Sequence, residues 1–534
     1  MIRFLLLFAS VAAAISLVWY AAGRPVPLPK ASLASGDRLN CLSYAPFRGE
    51  QAPFMPHLAI PERQVDADLA QLAKVTSCVR TYSSRGPQAA VAKLARKYGM
   101  TVLQGIWIGR SPAENRREIE DGLRLARVYP DTVRALIVGN ETLLRRELGP
   151  ARIKAYLAEV RDRATQPATY ADVWEFWIKA PELAEAADFI TIHILPYWED
   201  KPVRATEALQ HVREIRAEVQ AEFPDHEILI GEVGWPSAGR MRDGALPSPA
   251  NQALVLEGVA AAAQREGWKV NLIEAYDQPW KRLLEGTVGG YWGLFSAHAR
   301  DAKFRFGEPV SNQPHWRLIA GIGIVVAFYV FLSGWLGASA RRVVTANSRA
   351  VALIALTAGL VAGWAGINLP MESPELGDRF RSVFLLFVLA IVVPGVAAYS
   401  VARGEPLYGL AAALNIHLAK RRDWPERILV VLLAATVVAA IHVALGLVFD
   451  PRYKDFPLAP LTAAIVSLAI VAFSNRAPSA GSPGASELAL AATLCGSAMF
   501  IVVNESAANW QAVWLSLLLV LLGLTTVRAR PAQD

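Results

Sequence analysis

The sequence predicts a (β/α)8 barrel followed by an α-helical transmembrane bundle. Three observations carry this expectation. Between residues 39 and about 300, eight short strand-like runs alternate with amphipathic or Ala/Arg/Glu-rich stretches, the count expected of an eight-fold barrel. No Gly-x-Gly-x-x-Gly turn follows any early strand, which disfavours the rival, a doubly wound open sheet. From residue 317 onward, apolar runs near the ~20 residues that a helix needs to cross a hydrocarbon core dominate.

Taken in order, residues 4–22 form an apolar stretch behind Arg3, which reads as a signal peptide or a signal anchor. Its length and the pair Trp19-Tyr20 favour a retained anchor, although Ala21-Ala22-Gly23 leaves cleavage open. The Pro-rich segment Arg24 to Lys30 is a natural linker. Strands are expected at 39–46, 78–83, 101–108, 133–140, 167–174, 187–195, 226–232 and 270–276. Helices are expected at 62–76, 87–98, 112–128, 150–164, 202–222 and 248–266, and the segment 179–186 is short for a full one.

The C-terminal spans are expected at 318–338, 350–369, 382–402, 428–449, 458–474, 487–503 and 511–527. A further run at 407–419 is too short to cross, carries Asn415 and His417, and reads as interfacial or partly re-entrant. Basic residues gather in alternate loops: Arg341, Arg342 and Arg349; Arg403 and Lys420 to Arg427; Arg476; Arg528 and Arg530. The opposite loops are acidic or mixed, around Glu372 to Arg381, Asp450 to Asp455, and Glu505. With positive loops inside, both ends are cytoplasmic and the barrel lies on the outer, periplasmic side of an inner membrane. The organisation expected is therefore an anchor (1–23), a linker (24–38), the barrel (39–310), a seven-span domain (317–527) and a cytoplasmic tail (528–534).

Composition agrees. The 53% hydrophobic fraction over 534 residues is high for a wholly soluble protein, and the excess lies after residue 316. The net charge of +7 does not argue for a nucleic-acid partner, because topology explains many of the basic residues. Three cysteines rule out a disulfide-built scaffold. Cys41 and Cys78 fall in the first two strands and would pair only if their geometry allowed it; buried free thiols are the expectation, and Cys495 lies in an apolar span. The eight histidines form no His-x-x-x-His pair and the cysteines no Cys-x-x-Cys, so neither a catalytic metal nor a cofactor is expected.

Barrel enzymes place their chemistry at the carboxyl ends of the strands. Strand four ends Val138-Gly139-Asn140-Glu141, and strand seven runs into Gly231-Glu232-Val233-Gly234-Trp235-Pro236-Ser237. A carboxylate at the end of a buried strand is costly unless something needs it there. Two carboxylates pointing into one bowl, ~5–5.5 Å apart, suit a retaining glycosidase, in which one protonates the leaving oxygen and the other attacks the anomeric carbon. The acid's pKa should then be raised while the nucleophile stays ionised. Asn140 is placed to bond a sugar 2-hydroxyl and Tyr197 to support Glu232. Strand two contributes Arg80 and Tyr82; strand eight contributes Glu274, Tyr276, Asp277, Trp280 and Lys281.

At these residues the sequence resembles glycoside hydrolase family 17, the β-1,3-glucanase family of retaining (β/α)8 enzymes. Val138 to Glu141 and Gly231 to Ser237 look like its two signatures. Glu274 to Lys281 and Tyr291-Trp292-Gly293-Leu294-Phe295 resemble its eighth-strand region. The likeness covers residues 39–305. It implies Glu141 as acid/base and Glu232 as nucleophile. Gln278 stands where many microbial relatives carry Glu. A family 17 domain tied to a multi-span region is similar to the bacterial glucosyltransferases of periplasmic β-glucan assembly, members of which remodel β-1,3-glucan and can form β-1,6 linkages. The implied partners are a β-glucan donor and acceptor, the lipid bilayer and a glucan synthase.

Substrate contacts are expected from Asn140, Tyr82, Tyr197, Trp235, Glu274, Asp277, Lys281 and Trp292. Several have competing readings. Trp235, Trp280 and Trp292 are sugar platforms or core aromatics; Asp277 and Lys281 form a salt bridge or touch substrate. His193 is a hydrogen-bonded barrel residue or a sugar contact, and Trp174 and Trp177 read as rim packing. The function expected is a membrane-bound β-1,3-glucan transglycosylase. A hydrolase is one alternative, and a non-catalytic glucan-binding or export component is another.

Overall fold

Val/Ile/Leu-rich runs such as Val133–Asn140 and Ile228–Val233 have no polar alternation because both of their faces are covered. In the computed structural model these runs are parallel strands closing into one barrel in chain order: β1 Cys41–Ser43, β2 Cys78–Arg80, β3 Thr101–Ile106, β4 Val133–Asn140, β5 Ala168–Val173, β6 Ile190–His193, β7 Ile228–Val233 and β8 Lys269–Leu272, which bonds back to β1. The structure describes residues 2–29, 38–55, 58–341, 347–410, 424–474 and 483–529. The chain divides into two compact units, one of residues 26–310 and one of residues 1–25 with 311–534.

In the first unit, two helices combine a serine cap with a buried apolar face. Ser111 and Ser248 each accept a backbone N–H, from Glu114 and Asn251, and each is followed by Pro at the first helical position. The helix Pro112–Val128 buries Ile119, Leu123 and Ala126 against the barrel core.

Several strands are shorter than the sequence suggests at their carboxyl ends. β1 stops at Ser43 rather than 46, β2 at Arg80 rather than 83, and β8 at Leu272 rather than 276. The chain beyond still makes single backbone bonds, Tyr44 N to Arg80 O and Ala275 N to Ser43 O, but splays out of the ladder. The stretch 87–98 divides into a 3-10 turn at Gly86–Ala90 and a helix at Val91–Lys97, and the helix expected from 202 begins only at Ala208. At 179–186 lies a 3-10 turn, Pro181–Ala186, following the short helix Trp174–Lys179.

One expectation is overturned here. Cys41 and Cys78 form a disulfide, with Cα atoms 4.4 Å apart. The parallel register pairs Leu42 with Val79, which brings the two preceding cysteines side by side; strand register was not legible in the spacing.

The second unit is helical. Seven helices among the described residues are long and apolar enough to cross a membrane: Phe4–Gly23, Trp316–Ala340, Ser348–Met371, Leu376–Arg403, Trp424–Phe449, Ala485–Glu505 and Trp510–Arg528. The span expected at 458–474 is a helix of 17 residues, Leu458–Ser474. At 1.5 Å per residue it reaches only about 26 Å, short of a ~30 Å hydrocarbon core. Most of it is enclosed by its neighbours. The short run at 407–419 lies mostly outside the described residues. The N-terminal helix belongs to this core: Ile15 is fully buried and Trp19 Nε1 donates to Leu360 O at 3.1 Å.

Candidate active site

Glycine sets the geometry of the β4 signature. Gly139 takes φ +87°, and a Cβ there would stand 3.1 Å from the Tyr170 ring. Glu141 follows with φ +52°, an unusual value for a residue with a side chain. Across the barrel, a Cβ on Gly231 would fall 2.4 Å from Thr191 Cγ2, so only glycine lets β7 lie against β6 just before Glu232.

The two carboxylates meet. One oxygen of Glu141, one of Glu232 and a ring nitrogen of His193 lie within 4.8 Å of one another. Arg80, fully buried, ties the group together. Its Nη1 donates to Glu232 Oε1 at 2.8 Å, to Gly231 O at 2.9 Å and to His193 Nε2 at 3.3 Å, while Nη2 donates to Asn140 Oδ1. A guanidinium can only donate, so His193 Nε2 accepts and the Nδ1 proton is directed at Glu141 Oε1, 2.8 Å away. Tyr82 donates its hydroxyl to the same Glu232 oxygen at 3.0 Å. Burial, then the Glu232 charge, push the Tyr82 pKa well up, so it stays a neutral donor.

Three acidic or His donors this close could also hold a cation. Here Arg80 already sets a positive charge against Glu232 and His193, and the set reads as a carboxylate pair organised by an arginine.

Electrostatics departs from the sequence expectation at Glu141. Burial is the largest influence and raises its pKa, but the His193 hydrogen bond and the positive charges of Arg145 and Arg80 together hold it below the ordinary value. The raised acid sits elsewhere. Burial pushes Glu274 up to about 7 against the opposing effect of Lys281, whose Nζ lies 2.9 Å away. Glu285 is also raised, by burial first and then, opposed by Lys281, by the charges of Glu141 and Glu232, a contribution that no motif signalled.

Several expected substrate contacts are enclosed instead. Trp235 is fully buried, its Nε1 donating to Leu246 O at 3.0 Å, and Trp292 is 2% exposed; neither presents a face to a sugar. Both pack against Tyr197, itself fully buried, whose hydroxyl donates to Arg240 O at 2.9 Å rather than to Glu232. An indole is large and apolar, and the core took both. Tyr82 does the work expected of Tyr197. Asp277 resolves to a salt bridge, but with Lys303 (2.6 Å) and not Lys281, and it accepts from Gly293 N as well. Glu274 is 2% exposed and paired, and Lys281 is the partly exposed member of that pair. Asn140 spends its amide oxygen on Arg80. Trp177 is core, with Nε1 on Thr191 O, while Trp174 stays partly exposed at the rim.

Exposed aromatic surface at the strand ends comes from Trp107 and Phe54, with the expected Trp280 half-buried beside the latter. Trp107, after β3, is 38% exposed with the Arg145 guanidinium 4.2 Å from its ring centre. Trp280 meets Phe47 and Phe54 edge-on, and Phe54 is 56% exposed. Sequence reasoning gave Arg80 no task, although a signal was there: an arginine ending an apolar strand must be paired if buried. Lys303 carried no such signal.

Residues 41–293 match the family model described as the BtgE/BtgC glycoside hydrolase domain. The barrel is a family 17 glycoside hydrolase domain. Among curated proteins, this domain is similar to the cell surface mannoprotein MP65 of Candida albicans (23% identical, covering 44% of this chain and 62% of that protein). It is also similar to a glucan 1,3-beta-glucosidase of Saccharomyces cerevisiae (24%, 43% and 81%) and to a probable glucan endo-1,3-beta-glucosidase, btgC, of Aspergillus clavatus (27%, 45% and 38%). The chain thus spans less than two thirds of the first and third. Solved structures similar to it include a family 17 beta-1,3-glucanosyltransferase of Rhizomucor miehei (23% identical, 50% of this chain, 95% of that one, TM-score 0.44). An endo-laminarinase of Formosa is similar at 19% identity, over 51% of this chain and 90% of that one, with TM-score 0.44.

Proposed function

We propose that the protein is a membrane-bound retaining β-1,3-glucan transglycosylase, acting on the periplasmic side of a bacterial inner membrane in β-glucan synthesis or remodelling. The observation that carries this is that one oxygen of Glu141 and one of Glu232 lie within 4.8 Å, an approach that suits the ~5–5.5 Å carboxyl spacing of a double-displacement site better than the ~6.5–9.5 Å that leaves room for an inverting water. Glu232, charge-compensated by Arg80 and hydrogen-bonded by Tyr82, attacks the anomeric carbon. Glu141 donates its proton to the leaving oxygen, then takes one from the incoming hydroxyl, so configuration is retained. A bound sugar excludes water from Glu141 and strengthens the burial that already favours its protonated form. The amide nitrogen of Asn140 is the group that meets the 2-hydroxyl.

A glucan substrate is supported by the family and by the names of relatives, several of them β-1,3-glucosidases. Those names equally favour the second reading, a hydrolase. Trp235 and Trp292 no longer argue for a sugar acceptor; the exposed rings of Trp107 and Phe54, with Trp280 beside the latter, take over that support. The outward placement of the barrel is supported by the basic loops, by the N-terminal helix packed as part of the helical core, and by the Cys41–Cys78 disulfide, which suits an oxidising compartment. A glucan synthase in the same membrane is the partner this role implies.

The test is to incubate the protein with short β-1,3-glucan oligomers and to analyse product size and linkage by chromatography and NMR. Products longer or more branched than the input, absent with Glu232→Gln, are expected. Only shorter products would establish hydrolysis, and no turnover would leave a glucan-binding role.

A further inference from the structure

Asp172 on β5 is a fully buried carboxylate with no ion-pair partner among the described residues. Its acceptors are nonetheless occupied. Oδ2 receives the Tyr170 hydroxyl and the backbone N–H groups of Leu143 (3.1 Å) and Leu144 (3.4 Å); Oδ1 receives Val173 N at 2.8 Å. Leu143 N also reaches the Tyr170 oxygen at 2.9 Å. Two of these donors belong to the turn that leaves β4 and begins with Glu141.

That turn is strained. Glu141 (φ +52°) and Arg146 (φ +53°) both occupy the left-handed region, which is strained for a residue with a Cβ and persists only where the surroundings over-determine it. Here β5 does so from two sides: Ala171 O accepts from Glu141 N at 2.8 Å, and the Tyr170–Asp172 pair holds the amides of Leu143 and Leu144. The conformation so fixed aims the Glu141 carboxylate at His193 and Glu232.

We propose that Asp172, seconded by Tyr170, is a positioning residue for the acid/base Glu141, holding the first turn after β4 in the strained form that points this side chain across the bowl; the assignment rests on the glycosidase reading above. A carboxylate is the group that this place requires. It accepts from four donors at once, whereas an amide would turn an N–H toward one of them. The same arrangement accounts for Asp172 being tolerated at a site where burial, and after it the nearby Glu141 charge, push its pKa up to about 6.

The test separates an aimed acid from a merely stable fold. A dinitrophenyl leaving group departs without a proton, whereas a sugar leaving group needs one. We therefore expect Asp172→Asn, in the full-length protein, to lower kcat/KM for an unactivated β-1,3-glucan oligosaccharide about 10- to 100-fold. For a dinitrophenyl β-glucoside, kcat/KM, which reports only the steps through formation of the glycosyl-enzyme, should stay within about threefold. Tyr170→Phe, the milder variant should Asp172→Asn fail to fold, should show the same split at smaller amplitude. Equal losses on both substrates, or no loss on either, overturn the assignment while leaving the glycosidase reading intact. A wild-type protein inactive on both overturns the reading and the assignment together.

Discussion

Replacing Arg80 by methionine removes a buried positive charge while keeping much of the side chain's length. Glu232 Oε1 lies 2.8 Å from the guanidinium, so at an effective dielectric near 20 their attraction has a ceiling of about 6 kcal/mol. The net effect is smaller, because the native pair also bears a desolvation penalty, and breaking such a pair from one side typically costs about 3–5 kcal/mol. Tyr82 remains as a donor to Glu232, which favours the lower part of that range. Most of the loss is the penalty of an unpaired buried charge, so neutralising that charge should return part of it. In a double-mutant cycle, Arg80→Met alone should destabilise the barrel unit 26–310 by about 3–4 kcal/mol. Adding Glu232→Gln should then cost far less than it does in the wild type, giving a coupling of about 2 kcal/mol or more. Urea unfolding followed by tryptophan fluorescence measures all four corners. Additive losses would refute the ion pair as the organiser of the site.

Glu141→Gln and Glu232→Gln should each lower turnover of β-1,3-glucan oligomers by about 100-fold or more with the circular dichroism spectrum unchanged, and near-normal turnover in either would remove it from the mechanism. Serine at both Cys41 and Cys78 should lower barrel stability by about 4 kcal/mol, given the 37-residue separation; a reductant-insensitive urea midpoint in the wild type would contradict the bridge. Glu274 gives a pH dependence. Its folded pKa lies above the unfolded one, near 7 against 4.5, so the stability it contributes is fully present below pH 4.5 and lost as pH rises through 7, about 3 kcal/mol in all. Relative to wild type, Glu274→Gln should therefore gain stability with rising pH across that window, and a flat difference would refute the raised value.

What is periodic or local could be read directly from the order of residues. Eight strand runs separated by helical stretches fix a closed barrel, and long apolar runs fix a helical unit, because burial of a repeating face needs no knowledge of partners. Glu141 and Glu232 were legible for a related reason: each is a charge at the end of an apolar strand, flanked by glycine where the backbone turns or passes close to a neighbour. Which residues stand side by side emerged only from the folded chain. Register joined Cys41 to Cys78, and barrel closure set Arg80 of β2 against Glu232 of β7. Close packing took Trp235, Trp292 and Tyr197 into the core, although their place after strand ends suggested a binding surface. The partner of Asp277, the lowered pKa of Glu141 and the grip of Asp172 on the β4 turn arise from distances between strands, and those distances exist only once the ring of strands is closed.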